Sequence, residues 1–147
     1  MIFSNKINRL LNTFFDDNFT FMRGILFDKT YKNNWRVGWY QDKIFAVSHK
    51  VNLPGWQSWS TKQNVLHCQL PDEVLNQIIT SRLHLNEMTL QSGGLQVIPQ
   101  SYLNGVLLRE QIETIVSTKQ VINIRANAGD LMVMRPKLLH RSNKIIR

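Results

Sequence analysis

Asn34-Trp35-Arg36-Val37-Gly38-Trp39-Tyr40-Gln41-Asp42 is the stretch on which the reading of this chain turns. Its second half places a phenol and a carboxylate two residues apart, at Tyr40 and Asp42. In a strand, residues at that spacing point to the same side. Far downstream, Ala128-Gly129-Asp130-Leu131-Met132-Val133-Met134 leads through Arg135-Pro136-Lys137-Leu138-Leu139 to His140-Arg141-Ser142. A carboxylate and a neighbouring ligand on one strand, with a distant His on another, is the layout of a facial iron site. Such a site takes two imidazoles and one carboxylate and leaves the opposite positions open. Here Tyr40 stands where the first imidazole belongs. Each residue also has a plain structural explanation. Asp42 can be a turn carboxylate, His140 a core histidine, and Tyr40 a packing residue.

The bulk properties narrow the class. The chain has 147 residues, enough for one domain over 1–147 with a sizeable core. The single cysteine, Cys68, excludes an internal disulfide and suits a reducing compartment. No apolar run has the length of a membrane helix, and Met1-Ile2-Phe3-Ser4-Asn5-Lys6 does not read as a signal peptide. A cytoplasmic protein without a membrane partner is therefore expected. Eighteen Lys and Arg against ten Asp and Glu give a net charge of +8. The basic residues are spread without a dense block, so they read as a solvated surface or as attraction for an anionic ligand. Trp35, Trp39, Trp56 and Trp59 could stack on single-stranded nucleic acid. Packing in core and pocket is the simpler role for them, and nucleic acid is not the expected partner.

Short strands dominate the pattern. Lys6–Phe15 has helical apolar spacing at Ile7, Leu10, Leu11, Phe14 and Phe15. Phe19–Phe27 reads as a strand, 29–34 as a turn, and Trp35–Val47 as strand again. Residues 48–71 are irregular, with a turn at Pro54-Gly55. Pro71-Asp72-Glu73 opens a short helix ending near Asn76 or Gln77. Ile78–Leu85 alternates as a strand, with Ile79, Ser81, Leu83 and Leu85 taken as the inner face and His84 as exposed. Ser92-Gly93-Gly94 is a turn before a strand at Leu95–Ile98. Arg109–Ser117 is helical, Gln120–Ile124 and Leu131–Met134 are strands, and Ala128–Asp130 is a turn. Many short strands separated by turns favour a sandwich or barrel. His49, His67 and His84 are further candidate imidazoles. No tight Cys/His cluster of zinc type, phosphate loop, nucleophile elbow or dinucleotide fingerprint is present.

An ordered series of segments carries a family resemblance. They are Arg23–Thr30 (RGILFDKT), Asn34-Trp35, Gly38–Asp42, Leu53-Pro54-Gly55, Trp59-Ser60, His67–Pro71 (HCQLP), Arg82–Leu85 (RLHL), Gly93–Pro99 (GGLQVIP) and Met134–His140 (MRPKLLH). Together the series resembles the phytanoyl-CoA dioxygenase family of iron(II)- and 2-oxoglutarate-dependent oxygenases, in its small bacterial branch.

The resemblance implies a mainly β double-stranded β-helix, or cupin-like jelly roll, with a few short helices. It implies an iron site at Asp42, His140 and Tyr40, the last at the position of the expected His. It also implies 2-oxoglutarate contacts at Ser142, Trp59 and Gln69. The implied cofactors are Fe(2+) and 2-oxoglutarate, and the implied reaction is hydroxylation of a small organic substrate. Tyr40 departs from the family pattern, as do Ser92-Gly93-Gly94-Leu95 and Pro99-Gln100-Ser101-Tyr102. The family's arginine on a further strand past the distal His is not found before Arg147. The expectation is a shortened barrel lacking its last strand, with an exposed edge that favours a homodimer. A catalytically inactive jelly-roll binding module is the alternative to an active oxygenase.

Overall fold

The computed structural model describes residues 9, 11–13 and 19–146. Among these the strands are β1 (Val37–Tyr40), β2 (Ile44–Val47), β3 (Gln57–Lys62), β4 (Val65–Gln69), β5 (Thr80–Leu83), β6 (Leu95–Val97), β7 (Ile122–Asn123), β8 (Leu131–Met134) and β9 (His140–Ser142). The helices are α1 (Asp72–Leu75) and α2 (Arg109–Thr118), with a 3-10 turn at Ser101–Asn104. The expected helix at Lys6–Phe15 falls largely outside the described residues.

The strands form three sheets, ordered β1-β9-β6-β7, β2-β4-β3 and β5-β8. Every pairing is antiparallel. The protein is mainly β, as the sequence predicts. Leu95 and Val97 of β6 cluster with Met134 of β8 and with Met88, so the β5-β8 pair packs on the four-stranded sheet. A second cluster, Cys68, Leu70 and Leu75, seats α1 on the three-stranded sheet beside Trp56 and Trp59. Ile98, Leu107 and Leu139 form a third, against which Trp39 and α2 pack.

Several local outcomes differ from the pattern reading. Trp35–Val47 is two strands in different sheets rather than one. The break lies at Gln41, whose buried amide donates to Gly105 O at 2.9 Å and Lys137 O at 2.8 Å and accepts from Leu107 N at 2.8 Å. Asp42 N then donates to Pro136 O at 2.8 Å, and the chain leaves the β1-β9 ladder. Among the described residues no strand forms over Phe19–Phe27, and Leu26 and Phe27 are exposed. Residues 48–71, read as irregular, contain the β3-β4 hairpin. Its turn residues Gln63 and Asn64 both take positive φ, 48° and 61°, the geometry of a two-residue hairpin turn without its usual glycine.

The alternation at Ile78–Leu85 is a strand with its faces reversed. Leu83 and Leu85 are exposed, whereas His84 is only 6% exposed. Thr80, Arg82 and His84 form the inward row.

Candidate metal centre

The centre lies where β1 and β9 meet. Tyr40 is the cross-strand partner of His140, and Val37 that of Ser142, so one extra residue bulges on β1 between these pairs. A bulge of this kind re-aims side chains along a strand. The Tyr40 and His140 rings sit 4.2 Å apart between centroids, tilted by 54°. Asp42, just past the end of β1, brings its Oδ2 to 3.7 Å from His140 Nε2. Two neighbouring residues thus meet a third that lies about a hundred residues away.

The protonation states follow from burial. His140 Nδ1 lies 2.7 Å from Leu138 O. A carbonyl only accepts, so Nδ1 carries the proton and Nε2 turns its lone pair toward Asp42. Burial pulls the imidazole below its ordinary value, against support from the Leu138 carbonyl and Asp42, so it is neutral at neutral pH. Burial pushes the Asp42 carboxyl up, while His140, Arg23 and Arg82 pull it down. The Tyr40 phenol is pushed up to about 12, by burial first and by Asp42 second.

Other expected site residues divide. Ser142 lies two residues past His140, and its Oγ accepts from Lys29 Nζ at 3.2 Å. Trp59 instead packs on the three-stranded sheet and borders an open depression of about 530 Å³ with Lys50, Val51, Asn52 and Trp56. Gln69 is buried in β4, opposite Ile44 and Gln57. No hydrogen bond among the described residues joins Trp59 or Gln69 to Tyr40, Asp42 or His140. His67 is bonded locally to Val65 O, and His49 to Ser48 Oγ. Neither reaches the centre.

Sequence reasoning gave no role to Gln41, Lys29 or Arg82, and it took His84, a candidate imidazole, as exposed, whereas it is buried. Gln41 fixes the backbone between Tyr40 and Asp42, and Arg82 acts electrostatically on Tyr40, Asp42 and His140. The inward row at Arg82 and His84 was detectable as the polar half of the alternation.

The phytanoyl-CoA dioxygenase family model matches residues 8–145, nearly the whole chain. The chain belongs to the phytanoyl-CoA dioxygenase family. Its fold is accordingly the cupin-like jelly roll, and an oxygenase-like scaffold comes with membership. Comparison with curated proteins and with solved structures found no match. No helix among the described residues is long and apolar enough to cross a membrane.

Members of this family are generally iron(II)- and 2-oxoglutarate-dependent. The donor set here departs from that requirement. Among the described residues no three His, Cys, Asp or Glu converge on one point. One neutral imidazole and one carboxylate are in place, and the third donor is a phenol that burial and Asp42 keep protonated. A protonated phenol is a weak ligand, and a phenolate beside Asp42 would add a second negative charge and favour iron(III). The residues do not fit the family's iron(II) centre.

Proposed function

We propose that this protein is a dioxygenase-family jelly roll that acts as a binding module without iron-dependent oxygenation. The observation that carries this reading is Tyr40, whose ring tilts against that of His140 at 4.2 Å and whose phenol is pushed up to about 12. An imidazole in that position offers a neutral lone pair, whereas the protonated phenol offers a weak donor. A direct test supplies iron(II), 2-oxoglutarate, ascorbate and oxygen and measures succinate. The reading expects no succinate above a heat-inactivated control. Succinate that depends on both iron and 2-oxoglutarate would overturn it.

One observation favours the alternative, an oxygenase with an unusual ligand set. The Leu138 carbonyl holds His140 in the tautomer that presents Nε2, 3.7 Å from Asp42. Backbone bonds of this type orient metal-ligating histidines. On that alternative Asp42 and His140 would hold the metal and Tyr40 would have to ionise on its arrival. The same succinate assay separates the two readings.

A further inference from the structure

We propose that the depression beside Trp56 and Trp59 on the three-stranded sheet is a seat for a flat aromatic ring carrying one anionic group. Its lining is Lys50, Val51, Asn52, Trp56 and Trp59, with no residue of the Tyr40 centre among them. The proposal therefore goes beyond the binding-module reading and stands whether or not that centre turns over.

The backbone is shaped to bring the two indoles together. Residues three apart point to opposite sides of a regular strand. Here Gln57 pairs with Gln69 and Ser60 with His67, so β3 carries one residue more than β4 between the two pairs. Ser58 in this bulge takes φ 56°, a left-handed conformation uncommon for a residue with a side chain. The extra residue reverses the facing of the chain. Trp56 and Trp59 both pack beside Cys68, Leu70 and Leu75, and both line the depression. The turn before Trp56 is equally constrained. Trp56 N donates to Leu53 O at 3.3 Å. Gly55 takes φ 82°, so close to Pro71 that a Cβ would lie 2.8 Å from the proline Cβ. Left-handed residues of the Ser58 kind gather at ligand clamps.

The polar groups around the indoles are of one kind. Lys50 Nζ stands 5.8 Å from the centroid of the Trp59 ring, at cation–π distance. Among the described residues Lys50 has no ion pair, and the lining contains no carboxylate. The depression holds about 530 Å³, within the roughly 300–1,000 Å³ of small-molecule sites. Trp35 and Trp39 lie elsewhere, beside Lys29 and Arg141, so the stacking surface here is confined to two rings.

This chemistry selects the ligand. An aromatic ring stacks on indole faces, and an anionic group on the same molecule meets the ammonium. A neutral sugar would find one amide and no carboxylate for its hydroxyls. An aliphatic anion would use the lysine and leave both indoles without a partner. The net charge of +8 draws anions toward the surface.

Calorimetric titration of the full chain tests this, with AMP, indole-3-acetate, acetate and inorganic phosphate as the probes. At least one of the two aromatic anions should bind, and acetate and phosphate should bind at least about tenfold more weakly. Binding of AMP alone would name a nucleotide as the source of the ring, and binding of indole-3-acetate alone an aromatic acid. Trp59→Leu, which keeps apolar volume beside Cys68, should raise Kd about tenfold. Lys50→Gln should raise Kd about threefold or more and remove most of the salt dependence. Lys50 is exposed, so this variant remains decisive where Trp59→Leu disturbs the core. Lys119→Gln removes an equal charge from α2 and should leave binding unchanged. Failure of both aromatic anions to bind wild type would overturn the seat. Equal affinity for acetate or phosphate would also overturn it, as would aromatic-anion binding that Lys50→Gln leaves unchanged.

Discussion

Tyr40 and His140 face each other across β1 and β9 with ring centroids 4.2 Å apart. The pairing places a phenol against a buried imidazole beside the Asp42 carboxylate. Most of the expected behaviour of this protein follows from that pairing.

The phenol should report on its surroundings directly. Of the three tyrosines, Tyr40 should titrate with a midpoint of about 12, and the transition should vanish in Tyr40→Phe. Ultraviolet difference absorbance at alkaline pH measures it. Because the folded value is raised above the ordinary 10.0, the stability contributed by the neutral phenol is complete below pH 10 and lost as pH rises toward 12. A Tyr40 transition near 10 would show an open, solvated ring.

Asp42 should be held at a cost to stability. Its carboxyl is pushed above 3.8 chiefly by burial, so folding disfavours the charged form. Asp42→Asn should therefore raise the melting temperature at pH 7. The gain should shrink as pH falls through the folded value and disappear below the unfolded one, where both side chains are neutral. A lower melting temperature at pH 7 would mean that the attraction of Arg82 and Arg23 outweighs desolvation.

His140 should respond in the opposite pH direction. Its imidazole is pulled below 6.5, so its stabilising neutral form is fully present above that pH and is lost as pH falls through the folded value. Imidazole resonances followed by NMR should show two histidines titrating below 6.5, His84 and His140, of which one is missing in His140→Gln. Any titration of His140 above 6.5 would contradict the burial described here.

Gln41 should matter more for stability than its polar character suggests. Replacing it with Leu strands Leu107 N and two carbonyls that it now satisfies. The expected loss is about 2–4 kcal/mol, measured by denaturant unfolding. A loss below about 0.5 kcal/mol would show that water takes over these bonds.

The sequence was most readable where a single periodicity or turn residue governs the chain. Pro71-Asp72-Glu73 before α1, the helical spacing of α2, and Gly93 between two crowded segments all behave as their chemistry dictates. The β3-β4 hairpin was hidden because Gln57–Lys62 is polar apart from Trp59 and its turn uses Gln63-Asn64. Phe19–Phe27 reads as a strand because its composition is apolar, yet no strand forms there among the described residues. At Ile78–Leu85 the period was right and the face was wrong. The apolar half lies outward, while Arg82 and His84 turn inward toward a charged centre, an arrangement that hydropathy alone assigns the other way. For the same reason Asp42 and His140 were legible by spacing, whereas Lys29 and Arg82 were not, since their placement depends on contacts between sheets.

The central claim is that Asp42 and His140 remain placed to hold a metal and that Tyr40 leaves the donor set incomplete. Anaerobic calorimetric titration of iron(II) into wild type and Tyr40→His tests this most directly. The account predicts weak or unmeasurable binding by wild type and at least about tenfold tighter binding by Tyr40→His, because the substitution completes a two-imidazole, one-carboxylate set. Equal, tight binding by both proteins would contradict it, and so would the absence of binding by Tyr40→His.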